Sequence, residues 1–292
     1  MKSFERYNPI VIAIYFLSVL SLLMFSFNPI LLITAFVGAI SYFQIKKGNG
    51  RKKTHGFSLI LFLLLSLINP LFSHNGKTVL FVINDSPITL EATFYGVVSG
   101  GTVVTALYLF RSFTEIMTRD KLLYVFGKLS PKLSLILSMG LRYVPLFQDR
   151  ARKISDTQKA LGLYKEDNIF DRIQGGLRVF SILITWALEN GITTADSIAA
   201  RGYGTHKRTH YSLFSFEKQD GIFLAATLLL VGVTVTGMAF GRLDFSFYPT
   251  LLFAESHPLG VASYLAFAFL SLLPTLNETE ETIRWNYLQS KI

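Results

Sequence analysis

Five long stretches of this chain carry no ionisable side chain, and a sixth carries one. They are Pro9–Phe27, Pro29–Ile45, Phe57–Ser73, Ile88–Phe110, Gly221–Phe240 and Pro258–Leu276, with Glu91 as the single acid. At about 1.5 Å per helical residue, such stretches approach the roughly 30 Å thickness of a hydrocarbon core. Only 16% of the 292 residues are charged, against about 25% in soluble domains. The pattern predicts an all-α, polytopic membrane protein with about six transmembrane helices. The first stretch follows Lys2 and Arg6, as the apolar part of a signal peptide would. Its run is too long for one, no Ala-x-Ala-like site follows, and a second stretch begins at once, which predicts a retained helix. Asn28-Pro29 predicts a tight turn in which the proline opens the second helix.

Basic residues set the orientation. Ile45 is followed by KKGNGRKK, with five Lys or Arg in eight residues, whereas the Ser73–Pro87 loop holds only Lys77. The positive-inside rule then puts both termini in the cytoplasm. The tail IRWNYLQSKI agrees, with Trp285 and Tyr287 placed as interface anchors. Between Arg111 and His210 lie 16 basic and nine acidic residues, so that this segment holds +7 of the net +9. The expected organisation is four spans over 1–110, cytoplasmic or interfacial helices over 111–220, and two spans with a basic tail over 221–292. Within the middle segment, Ile173, Leu177, Phe180, Ile184, Leu188, Ile192, Ala195 and Ala199 recur at steps of three and four. That is one face of an amphipathic helix from Asn168 to Ala200, which Gly175-Gly176 or Gly191 would bend. A second helix is expected from Leu146 to Ala160, and Ser130-Pro131 reads as a helix start before it.

Intramembrane catalysis and ion-driven transport need ionisable groups at depth, and the spans lack them. Glu91 reads as an interface-solvated carboxylate, and Arg142 as snorkelling or paired within the basic segment. The spans offer packing devices instead, Gly96-x-x-x-Gly100 and Gly237-x-x-x-Gly241. GNGRKKT at 48–54 is not a phosphate loop, because Lys52 stands where that loop has glycine. His206-x-x-x-His210 lacks a third ligand close in sequence and is set aside as a metal site. Positive-inside topology already accounts for the basic face, so no nucleic-acid partner is expected. No metal, no resident cofactor and no catalytic constellation is expected.

The last helix of the basic segment sheds its bulk and ends ENGITTADSIAARGYG. Glycine ends helices and arginine suits the negative C-terminal dipole, which is one account of this tip. The other is insertion: an arginine flanked by alanine and glycine enters a narrow groove and offers a planar fork of donors. A charge-free membrane block with no motor of its own favours the second. TADSIAARGYG resembles the coupling signature of the transmembrane T component of energy-coupling factor transporters, prokaryotic importers of vitamins and metal ions related to the Q-type protein of cobalt transport. FERYNPIVIAIYF, PITLEATFYG, SMGLRYVPLF, QKALG and RWNYLQSKI match as well, so the resemblance covers nearly the whole chain.

The resemblance implies a non-catalytic, multi-pass subunit of a prokaryotic cell membrane. Its long cytoplasmic coupling helices would end in x-Arg-x motifs that dock into two ABC-type ATPases, which bind the ATP and Mg. The same helices would support one small membrane-embedded substrate-binding S component, for which the Ile173-to-Ala199 face is the candidate surface. Ala200-Arg201-Gly202 matches the second docking motif in full. The first falls at Ala160-Leu161-Gly162, with Leu161 in place of arginine. A self-contained permease is the alternative, and it needs a polar pathway that the spans do not show. The permease of an ordinary ABC importer usually presents one short coupling helix, and this insert is about a hundred residues long.

Overall fold

The computed structural model describes residues 3–45, 51–73, 75–83, 86–163, 169–205, 214–253 and 257–290. Its helices are α1 Pro9–Phe25, α2 Pro29–Ile45, α3 Arg51–Phe72, α4 Leu90–Ile116, α5 Arg119–Leu129, α6 Pro131–Ala160, α7 Ile169–Ala200, α8 Lys218–Ala239 and α9 Pro258–Gln289. Two short antiparallel hairpins, β1 Val79–Ile83 with β2 Ser86–Thr89 and β3 Phe245–Ser246 with β4 Leu252–Phe253, are the only strands among the described residues. The chain divides into two units, Met1–Leu122 with Phe214–Ile292, and Leu123–Leu213.

The first unit is a helical block that carries both short hairpins. Helix α3 from Lys53, with α4, α8 and α9, is long and apolar enough to cross a membrane, while α1 and α2 are apolar helices of 17 residues each. Ile60, Leu229 and Leu265 are 66, 65 and 66% exposed. Large aliphatics in such numbers on an outer surface suit lipid rather than water. Hydroxyls inside these helices return to their own backbone, Thr102 donating to the Val98 carbonyl, Thr105 to Gly101, Thr227 to Phe223 and Thr234 to Leu230. A membrane interior demands this internal satisfaction of polar groups.

The helix ends sort onto two sides. On one side the Asn28 side chain donates to the Leu243 carbonyl at 2.9 Å and to the Tyr264 hydroxyl at 2.7 Å, and accepts from the Ile30 N–H. The turn between α1 and α2 is thereby pinned to the connection between α8 and α9. Phe27, Tyr95, Phe247 and Phe245 gather there in ring contacts of 4.7 to 6.2 Å. On the other side the Asp220 carboxylate accepts from the Asn8 and Glu217 N–H groups at 2.9 and 2.8 Å, tying the start of α1 to the start of α8. Ser3 there donates to Glu278, and Lys121 to the Glu5 carbonyl. Between the two sides lies an aromatic core in which Phe4 touches Tyr7, Tyr15, Phe16, Tyr42 and Phe223.

Three sequence expectations change here. Helix α4 starts at Leu90 and runs to Ile116, two residues later and six further than its apolar run, because Thr89 caps it by accepting from the Ala92 N–H at 3.2 Å. Helix α9 continues through the tail to Gln289, with Trp285 and Tyr287 exposed on it. Glu91 is not solvated but 2% exposed. It accepts from the Thr78 hydroxyl at 2.8 Å and from the Thr78 and Lys77 N–H groups, in the first turn of α4 where the helix dipole favours an anion. The expected result of Glu91→Ala is a lower thermal midpoint in detergent and faster proteolysis within 75–83, with Glu91→Gln intermediate. Unchanged cleavage of that loop would show that the carboxylate does not hold it.

The glycine pairs also separate. A Cβ on Gly96 would lie 2.6 Å from the Ser66 carbonyl, and one on Gly100 3.3 Å from that of Phe62, so both let α3 approach α4 closely. Gly237 likewise faces Ser263 of α9. Gly241 corrects the packing expectation. It stands beyond the end of α8 at φ +64°, with its N–H on the Met238 carbonyl and that of Arg242 on Gly237, which makes it a stop signal.

Candidate functional site

The second unit is built on α6 and α7. The helix expected from Leu146 and the helix start read at Ser130-Pro131 belong to one element, since α6 begins at Pro131 and passes through Pro145 without ending. Helix α7 is continuous from Ile169 to Ala200 across Gly175, Gly176 and Gly191. The two pair antiparallel. The Tyr143 hydroxyl lies 2.9 Å from that of Thr194, Phe147 packs edge-on against Trp186 at 5.7 Å, and the Arg150 guanidinium stacks on the same indole at 5.2 Å. Further along, Arg178 donates to the Leu163 carbonyl. Residues 143, 147 and 163 of one arm thus meet 194, 186 and 178 of the other. An antiparallel pair sends its two C-terminal tips in opposite directions. On the outer face of α6, Lys153 bonds Asp149 at 2.9 Å and holds that carboxyl below the usual carboxylate range.

The tips share one backbone design. At the end of α6 the Gly162 N–H bonds the Lys159 carbonyl and the Leu163 N–H bonds Gln158, with Gly162 at φ +69°. At the end of α7 the Gly202 N–H bonds Ala199 and the Tyr203 N–H bonds Ile198, with Gly202 at φ +77°. Both are Schellman caps, in which glycine takes the left-handed conformation other residues resist. The residue before that glycine is held outward in each case. It is Leu161, 65% exposed, on one tip and Arg201, also exposed, on the other. Ala160 and Ala200 precede them, leaving no bulk beside either side chain. The tips are therefore equal in shape and unequal in chemistry.

The predicted apolar face of α7 is exposed along its whole length, from Ile173, Leu177 and Phe180 through Ile184, Leu188 and Ile192 to Ala195 and Ala199. Among the described residues Arg142 has no acidic partner within ion-pair distance. Its guanidinium lies 5.9 Å from the Tyr143 ring, and with Arg201 it lines a cavity of about 430 Å³ between α6 and α7. Sequence reasoning missed this pairing, because residues 59 apart meet only through the register of two helices. Among the described residues no three acidic or histidine side chains converge on a metal position. His206 and His210, like the turn at 46–50, lie outside the described residues.

Apolar helices with lipid-suited surfaces and a charged amphipathic pair define a multi-helix membrane protein. Residues 2–211 match the model of the cobalt transport protein family, CbiQ, which is well over half of the chain. The chain belongs to that family. Both tips fall inside the matched region; α8 and α9 lie beyond it. Among curated relatives, an energy-coupling factor transporter transmembrane protein EcfT of Lacticaseibacillus paracasei is 34% identical over 108 residues, 35% of this chain and 39% of that protein. The protein of the same name in Lactobacillus helveticus is 31% identical over 104 residues, covering 35 and 38%. That of Listeria innocua is 26% identical over 187 residues, covering 59 and 69%. The similarity thus spans under two-fifths of the length of the first two relatives.

Proposed function

We propose that this chain is the membrane scaffold and energy-coupling subunit of an energy-coupling factor importer. In this reading α1 and α2, each about 26 Å long at 1.5 Å per residue, cross the membrane with α3, α4, α8 and α9. Both termini and the α5–α7 segment are cytoplasmic. Two ABC-type ATPases dock at the tips around Leu161 and Arg201 and carry the ATP and Mg, so the chain itself is non-catalytic and needs no cofactor. The exposed stripe of α7 supports a membrane-embedded S component that binds the vitamin or metal ion. The observation that carries the reading is the pair of matched caps at opposite ends of α6 and α7, each presenting one uncluttered side chain. A device of that kind suits two neighbours gripped at once. Membrane helices without buried ion pathways fit a transmitter rather than a pump.

Affinity purification from mild detergent tests it. Recovery of two ATPase subunits and a small hydrophobic binding protein, with ATP-dependent uptake after reconstitution of the complex, is the expected outcome. A solitary chain that moves solute across vesicles unaided would overturn the reading.

A further inference from the structure

The cavity between α6 and α7 is cationic, with hydroxyl and amide groups set beside the apolar side chains of Met139 and Ile198. Arg142 enters it from α6, and Arg201 closes it from the tip of α7. Ser138, Asn190, Thr194 and Ser197 supply hydroxyls and an amide around them. Tyr143, bonded to Thr194, fixes the helices together beside Arg142. Among the described residues no acidic side chain lines the space, and neither guanidinium has a carboxylate within ion-pair distance. Two arginines lining one cavity give it a positive charge, and their rigid donor forks match the geometry of an oxyanion.

We propose that Arg142 and Arg201 are two halves of one oxyanion pocket, and that it takes an aspartate or glutamate side chain of a soluble protein partner. This rests on the reading of the α7 tip as a docking point, and it adds Arg142, which belongs to neither tip, to the docking machinery. The direction of the pocket selects the partner. Asn190, Thr194 and Ser197 lie on a face of α7 roughly 150° around the helix from the Ile184, Leu188 and Ile192 stripe, at 3.6 residues per turn. A lipid lying along the apolar stripe would present its headgroup to the wrong side. A protein reaching α7 from its polar side meets the pocket directly.

The test uses the intact complex. Arg142→Ala, Arg201→Ala and the double variant are compared for ATPase association, with Arg152→Ala as a matched loss of one exposed charge on α6. Each pocket variant is expected to weaken association by about tenfold or more, and the double variant no more than the worse single one, because both remove the same clamp. Arg142→Lys keeps the charge and the stem but not the fork, and is expected to fall between wild type and Arg142→Ala. If Arg201→Ala weakens association while Arg142→Ala matches Arg152→Ala, the pocket is overturned and the docking reading stands. If neither variant has an effect, both fail. Independent, additive losses would mean two separate contacts and overturn the shared pocket. Phosphatidylglycerol retained on the purified chain and lost in the double variant, with ATPase association unchanged, would assign the pocket to a lipid headgroup and overturn the proposal. Unaltered elution and circular dichroism of each variant mark a loss as one of binding rather than folding.

Discussion

If the tips dock ATPase subunits as proposed, Arg201→Ala is expected to lower their recovery with this chain by about thirtyfold or more, and Leu161→Ala by about tenfold or less. The difference follows from what each tip can offer. Truncating one partner of a desolvated, hydrogen-bonded charge pair costs about 2–5 kcal/mol, and each 1.4 kcal/mol is a factor of ten. A leucine cut back to alanine strands no buried charge on its neighbour. At roughly 0.8 kcal/mol per buried carbon, a loss of about tenfold or less corresponds to fewer than two of its three carbons being buried. Neither residue supports the fold of its own helix. Both side chains are exposed, and the caps depend on Gly162 and Gly202 rather than on the residue before them. Pull-down from mild detergent, normalised to the amount of this chain, measures both variants. Equal and negligible losses would remove the tips from the docking account.

Gly96→Ala destabilises the membrane block by about 1–3 kcal/mol, the usual range for forcing an extra carbon into a packed contact. Gly100→Ala leaves it near neutral. An alanine inside a helix is intrinsically favoured over glycine by about 0.5–1 kcal/mol, so the sign at each site depends on what the new carbon meets. At Gly96 that is the Ser66 backbone carbonyl at 2.6 Å, which cannot step aside without moving α3. At Gly100 the nearest atom is 3.3 Å away, within reach of a small adjustment. Thermal unfolding of the purified protein in one detergent ranks the two. A Gly100→Ala loss equal to that at Gly96 would mean that the close approach is not confined to one crossing point.

The membrane helices were legible in the sequence because lipid imposes a requirement that composition alone reveals, a long run with nothing ionisable in it. Asn28-Pro29 announced a turn for a local reason, proline at the first helical position. What the turn does is not local. The Asn28 side chain reaches Leu243 and Tyr264, more than 200 positions away. Glu91 was misread for the same reason, since its partners Thr78 and Lys77 reach it only because the β1–β2 hairpin folds back over the start of α4. That hairpin had a signal, the β-branched run of Val79–Ile83 before Asn84-Asp85, which the surrounding apolar stretches obscured. In the candidate site, the two Ala-x-Gly endings were visible as a weak echo between residues 160 and 200. Their identity as the same cap is a matter of backbone geometry at each tip, and the placing of Arg142 and Arg201 along one cavity required the pairing of α6 with α7.

Matched caps that carry different side chains also respond differently to the solution around them. Raising the ionic strength weakens the part of a guanidinium's attraction that acts through solvent, and the desolvated part less, whereas sulfate or phosphate strengthens the burial of an aliphatic knob. Whatever is held at both ends of this helix pair comes loose in a fixed order as salt rises, the arginine end first. A titration would therefore pass through a half-attached species, and reversing the two residues would reverse the order of release.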